Sequence, residues 1–280
     1  MKIKIISDST CDLTKELLEK FDISIVPLTV VKNDEAFSDG VNITTDDIFA
    51  HVAAGGNLCS TSAVGVLVYQ EKFAEFADKY DAVVHINISS ELSASYQNAT
   101  LAASEFDNVV AIDSRNLSTG QGHVVLKACE LAETATSVEE IAEKLNDFTS
   151  KVESSFLIDR LDYMVKGGRC STVAALGANL LGLKPCIEVK DGKMSVVKKY
   201  RGNYAKSLAT YVKERLSNRD DLDSKYLFVT HTPVSDECEK AVEAALAEHA
   251  KFENICWTKA GCTISCHCGP GTLGVLFAKK

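Results

Sequence analysis

Short, mostly apolar runs that end in clusters of small hydroxyl residues constrain this chain more than any other feature. Ile3-Lys4-Ile5-Ile6 leads into Ser7-Asp8-Ser9-Thr10, and Ala82-Val83-Val84-His85-Ile86-Asn87-Ile88 leads into Ser89-Ser90-Glu91-Leu92-Ser93. Val109-Val110-Ala111-Ile112 leads into Asp113-Ser114. A continuous apolar run reads as a strand buried on both faces, hence a parallel sheet covered by helices. Ligands of such sheets bind in the crevice beyond the carboxyl ends of the strands. Several hydroxyls are therefore expected on one rim, a wall of uncharged donors suited to an anionic or carbonyl head group.

The pattern between these runs is helical. Asp12-Leu13-Thr14 caps a short helix through Leu18, and Thr44-Thr45-Asp46-Asp47 opens another that ends at Gly55-Gly56, a hydroxyl cap followed by acids in the first turn. Further helices are expected from about Val66, Ser93, Thr119 and Val138, with strands at Ser24 to Val31, 82–88 and 109–112 and with Thr61-Ser62 in a loop. The βαβα order gives an α/β fold with a mainly parallel sheet. The second half changes rhythm. Lys184–Val189 and Met194–Tyr200 read as strands joined across Asp191-Gly192, a hairpin. Helices follow at Arg160–Lys166, Thr172–Leu181, Tyr204–Leu216 and Ser235–His249, with strands at Ser155–Ile158, Tyr226–Thr230, 254–265 and 273–278. This predicts an α/β domain with a mixed sheet. The boundary is placed near residue 153, giving units 1–153 and 154–280 without a Pro- or Ser-rich linker.

The 280 residues suffice for two domains with ample cores, and a net charge of −9 argues against nucleic-acid binding. The opening MKIKIISDST is not a secretory signal, and no apolar segment approaches the roughly 20 residues needed to span a bilayer. A cytoplasmic protein without stable membrane insertion is expected, its ten cysteines reduced and mostly serving as small hydrophobes. Cys256, Cys262, Cys266, His267 and Cys268 lack the paired C-x₂₋₄-C arms of zinc sites, so no metal is expected. Gly177-x₄-Gly182 is followed by Leu183-Lys184 instead of Lys-Ser/Thr, which removes the phosphate-loop reading. No cofactor is expected.

Four pieces remain as site candidates. Ser93 stands where a strand end opens a helix, a place that binds anions as readily as it caps the helix. Thr61-Ser62 precedes another helix, and His267 is followed by the rigid Gly269-Pro270-Gly271 turn. Arg169 closes the basic turn Lys166-Gly167-Gly168-Arg169, either as a bidentate anion ligand or as a surface cation after a helix C-cap.

Taken in order, the motifs resemble the DegV family of bacterial fatty-acid-binding proteins. The matching pieces are Ser7-Asp8-Ser9-Thr10-Cys11-Asp12-Leu13, Thr61-Ser62, Ser89-Ser90-Glu91-Leu92-Ser93-Ala94-Ser95-Tyr96-Gln97 and Asp113-Ser114. Lys166-Gly167-Gly168-Arg169, Lys184-Pro185 and His267-x-Gly269-Pro270-Gly271-Thr272-Leu273-Gly274 complete them. The resemblance implies a two-domain α/β fold with one long-chain fatty acid between the domains. It implies a carboxylate held by Thr61, Ser62 and Ser93, with His267 close by. It further implies a lipid-binding subunit that presents the carboxylate to a separate ATP-binding kinase, with Arg169 near the head group or the partner. Where the family often has Gln-Pro-Ser after Thr-Ser, this chain has Ala63-Val64-Gly65. Two rival readings are a serine esterase using Ser93 and His267, and a lipid-responsive regulatory protein.

Overall fold

A computed structural model describes residues 1–175 and 182–280. The distal part of the helix expected at 172–181 and the Gly177-x₄-Gly182 spacing lie outside the described residues.

The first half contains β1 (Ile3–Asp8), α1 (Lys15–Lys20), β2 (Ser24–Val26), β3 (Thr29–Lys32), β4 (Glu35–Ser38), α2 (Thr45–Ala53) and β5 (Ser60–Ser62). It continues through α3 (Val66–Ala77), β6 (Ala82–Asn87), α4 (Ser95–Ala103), β7 (Val109–Asp113), α5 (Ser118–Ala132) and α6 (Val138–Thr149). Strands β2-β1-β6-β7 form a parallel sheet in that order. All six residues of β6 are buried, as a strand covered on both faces requires. The apolar periodicity of α6 buries Ile141 and Leu145, and Ser137 caps it by accepting from Glu140 N–H.

The single strand expected at Ser24 to Val31 is two strands in two sheets. Pro27 separates them, since it has no N–H to give to a ladder. Beyond it, β3 leaves the parallel sheet and pairs antiparallel with β4 and β5. Thr61 and Ser62, expected in a loop, therefore lie on a strand, with Thr61 opposite Val30.

The second half contains β8 (Val152–Leu157), α7 (Asp162–Gly167), α8 (Ser171–Ala174), β9 (Leu183–Lys190), β10 (Lys193–Arg201), α9 (Tyr204–Leu216) and β11 (Leu222–His231). It ends with α10 (Asp236–His249), β12 (Asn254–Lys259), α11 (Cys262–Cys268) and β13 (Leu273–Lys279). The sheet order is β10-β9-β8-β13-β11-β12, antiparallel except for β11 beside β12. The expected hairpin is present: Asp191 and Gly192 have φ of 50° and 81°, the left-handed pair of a two-residue turn.

The strand expected over 254–265 ends at Lys259, and Cys262–Cys268 is helical. The β-branched and cysteine-rich composition of Cys262-Thr263-Ile264-Ser265-Cys266 reads as strand, but tertiary contacts decide otherwise. On a helix, Cys262 and Cys266 fall on one face, where they pack with Cys59, Val30 and Ile48. All ten cysteines are free.

Helix α5 is the wall shared by the two sheets. Its Val124 and Val125 belong to one core with Ile5 and Val84 of the first sheet and Phe228 and Leu276 of the second. Thr119 and Thr230 hydroxyls meet at 2.6 Å across the same contact. The chain changes sheet between Thr149 and Val152. Among the described residues, no helix is long and apolar enough to cross a membrane.

Candidate functional site

Sheet order β2-β1-β6-β7 makes β1 and β6 the strands at which connections leave in opposite directions, so a crevice opens past their carboxyl ends. A cavity of about 310 Å³ lies there. Its polar lining comes from four places: Thr61 and Ser62 on β5, Ser93 in the β6–α4 connection, Arg169 after α7, and Thr263 and His267 on α11. Its apolar lining includes Leu28, Ile88, Leu92, Leu117, Met194 and Ile264, each no more than 8% exposed. All five site residues expected from sequence thus meet at one cavity.

The wider hydroxyl rim is not assembled. Ser7, Ser89 and Ser114 are wholly buried and engaged elsewhere. Ser7 donates to Ile86 O, Ser89 to Gly192 O and Ser114 to Asn116 O. Small hydroxyls at strand ends bond the nearest free carbonyl, and only those whose segment turns toward the crevice reach it.

His267 occupies the last turn of α11. Its Nε2 lies 2.8 Å from Thr61 Oγ1, while its Nδ1 is buried without a partner among the described residues. Nδ1 lies against Gly167, where a Cβ would stand only 2.3 Å away. A stranded lone pair is tolerated better than a stranded N–H, so we assign the proton to Nε2, which donates to Thr61. Thr61 then keeps its own O–H proton for the cavity. Burial, reinforced by the Arg169 guanidinium, lowers the imidazole pKa to about 4, so His267 is neutral near pH 7.

Ser93 is not the N-cap of α4; Ala94 is, and it makes no side-chain cap. Ser93 Oγ instead accepts from Ser95 N–H at 3.2 Å and lies 2.9 Å from Ser95 Oγ. Gly168, with φ of 68°, ends α7 in a left-handed cap as the bland reading of that turn required. Arg169 nonetheless reaches the cavity, its Nη1 donating to Gly167 O at 2.7 Å and its Nε to Leu92 O at 3.4 Å. It is solvent-exposed and makes no ion pair among the described residues.

Two features oppose nucleophilic catalysis here. Ser93 is bonded to Ser95, not to His267, and among the described residues the second ring nitrogen of His267 has no carboxylate to orient it. Thr263 was not singled out from sequence. It is 4% exposed, lines the cavity, and its Oγ1 has no partner among the described residues. Only its place one turn before His267 on a helix could have signalled it, and that segment reads as strand.

A family model described as "Uncharacterised protein, DegV family" matches residues 2–280. A DegV domain-containing protein of Clostridium acetobutylicum is 34% identical over 283 aligned positions, covering 100% of this chain and 99% of the relative. A DegV family protein of Thermus thermophilus, whose structure is described as showing fatty acid binding, superposes with a TM-score of 0.90 at 27% identity, covering 100% of both chains. A stearic-acid-binding protein of Eubacterium ventriosum superposes with a TM-score of 0.83 at 29% identity, covering 99% of this chain and 98% of that one.

Proposed function

The chain belongs to the DegV family, and from that membership and the cavity we propose that it binds one long-chain fatty acid between units 1–153 and 154–280. The observation that carries this reading is the grading of a single cavity from an exposed polar rim to a buried apolar wall. Ser62 and Arg169 are exposed, whereas Leu28 and Ile88 are buried. A fatty acid has the same polarity profile. Each buried methylene contributes about 0.8 kcal/mol before ordering costs. The volume of about 310 Å³ falls at the lower end of the roughly 300–1,000 Å³ typical of small-molecule sites.

In this reading the carboxylate accepts from Thr61, Ser62 and Ser93, with His267 holding Thr61 in its donor orientation. Neutral donors stabilise an anion without another buried charge, and Arg169 adds favourable potential from the rim. The chain alone performs no reaction. It presents the carboxylate, in the cytoplasm, to a separate ATP-binding kinase. A carboxylate oxygen there attacks the γ-phosphorus, ADP leaves, and an acyl phosphate forms. Among the described cavity residues, Arg169 is the one whose charge is free to meet that phosphate or the partner.

Native mass spectrometry of protein from a bacterial host is expected to show one fatty acid per chain. Absence of lipid, together with no thermal stabilisation by acids of about fourteen to eighteen carbons, refutes the reading. For the kinase step, Arg169→Ala is expected to lower acyl phosphate formation more than acid binding; equal loss of both removes Arg169 from that step.

A further inference from the structure

Helix α11 carries four cavity residues, Thr263, Ile264, His267 and Cys268, yet has no side-chain cap of its own. It has seven residues, and a helix so short does not hold its direction unaided. Its first amides are taken by two carboxylates from the opposite end of the chain. Gly261 N–H donates to Asp12 Oδ1 at 2.9 Å, Cys262 N–H to Asp39 Oδ1 at 2.9 Å and Thr263 N–H to Asp39 Oδ2 at 3.1 Å. Asp12 and Asp39 are 8% and 5% exposed.

Each carboxylate is itself fixed. Ser9 Oγ donates to Asp39 Oδ2 at 2.9 Å, and Ser118 Oγ donates to Asp12 Oδ2 at 2.6 Å. Both carboxyl groups also lie at the positive end of the helix dipole, with burial pushing the Asp12 pKa up to about 8. Neither carboxylate lines the cavity. At the other end of α11, His267 reaches Thr61. The helix is thus held at its start by Asp39 and Asp12, and at its end it delivers an imidazole to the head-group donor.

We infer that Asp39, with Asp12, is a positioning residue for the ligand head group: it clamps the start of α11 across the molecule and so sets where His267 meets Thr61. The inference rests on the fatty-acid reading for its binding readout and on His267 alone for its spectroscopic one.

The test compares palmitic acid affinity and the His267 ring ¹⁵N resonances in four proteins. Asp39→Asn places an amide N–H against a helix N–H and leaves one donor unpaired. It is expected to weaken palmitic acid binding about tenfold or more and to move the His267 resonances. Leu246→Ala, in the remote core packed around α9 and α10, destabilises the fold by a cavity. It is expected to leave both readouts at wild-type values in the folded protein. Gly261→Ala is the milder probe should Asp39→Asn not fold, because its Cβ would stand 2.9 Å from Asp12 Oδ1 and the carboxylate must yield. About threefold weaker binding and a smaller resonance shift are expected. Wild-type affinity and unmoved His267 resonances in either folded variant overturn the inference. If wild-type protein binds no fatty acid, the functional reading fails, while unmoved His267 resonances in Asp39→Asn still refute the clamp by themselves.

Discussion

Gly167→Ala is the sharpest local test of the head-group geometry. Gly167 is the last residue of α7, and its conformation does not require glycine. Alanine there favours the helix by up to about 1 kcal/mol, so α7 itself does not suffer. The damage falls on His267. The new Cβ would stand 2.3 Å from Nδ1 and 3.2 Å from Cγ of the ring. Non-bonded contacts relax near roughly 3.5 Å, so the imidazole must retreat by about 1 Å. Thr61 stands 2.8 Å from Nε2 on the opposite side of the ring, so a ring pressed on its Nδ1 side must be driven against Thr61 or swing out of line with it, and either movement spoils the hydrogen bond. Leaving the half-buried Nε2–H and Thr61 poorly paired costs on the order of 1–3 kcal/mol, which is about 5- to 150-fold in affinity for a ligand that depends on them. Titration calorimetry with palmitic acid, alongside a thermal melt, measures both parts. The expected result is a large loss of affinity with a small change in melting temperature. Affinity within about twofold of wild type would refute the assignment of His267 and Thr61 to a coupled donor pair.

Ser93→Ala is expected to weaken fatty-acid binding by about 1–3 kcal/mol, because a carboxylate oxygen loses its donor; unchanged affinity in the same titration removes Ser93 from the site. Thr263→Val replaces a buried, unpartnered hydroxyl with a methyl of similar shape. It is expected to raise stability by roughly 1 kcal/mol in urea melts, and a loss of that size would show that the hydroxyl is satisfied. Burial lowers the pKa of His85 to about 3, of His123 to about 4 and of His267 to about 4. The unfolded chain, with histidines near 6.5, binds more protons below that pH, so the histidines' contribution to stability falls as pH drops from about 6.5 toward 4, while buried Asp12, pushed up to about 8, contributes in the opposite sense. Each group contributes up to ~1.4 kcal/mol per pH unit in that window, and denaturant melts of wild type and His123→Gln should show a shallower decline in the variant.

What the sequence determined by itself is whatever rests on local chemistry. Burial on both faces makes β6 mostly apolar, so it was legible as a strand and the parallel sheet followed from the helices around it. Thr44 and Asp47 form their capping box from neighbours three residues apart, and the left-handed turn at Asp191-Gly192 marks its own hairpin. The ordered motifs were specific enough to point to the family, and the five residues they nominated line one cavity.

The tertiary structure decided what depends on partners far along the chain. Thr61 sits on a strand only because β3, freed from the parallel sheet past Pro27, offers it an edge. Ser7, Ser89 and Ser114 carry the same hydroxyls as Ser93, but nearby carbonyls claim them, and nothing in their spelling distinguishes the claimed from the free. Cys262–Cys268 has the composition of a strand and becomes a helix because Asp12 and Asp39, more than two hundred positions earlier, take its first amides. A hydrogen-bond donor without a local acceptor adopts whatever conformation the fold supplies one for, and that supply is not written in the segment itself.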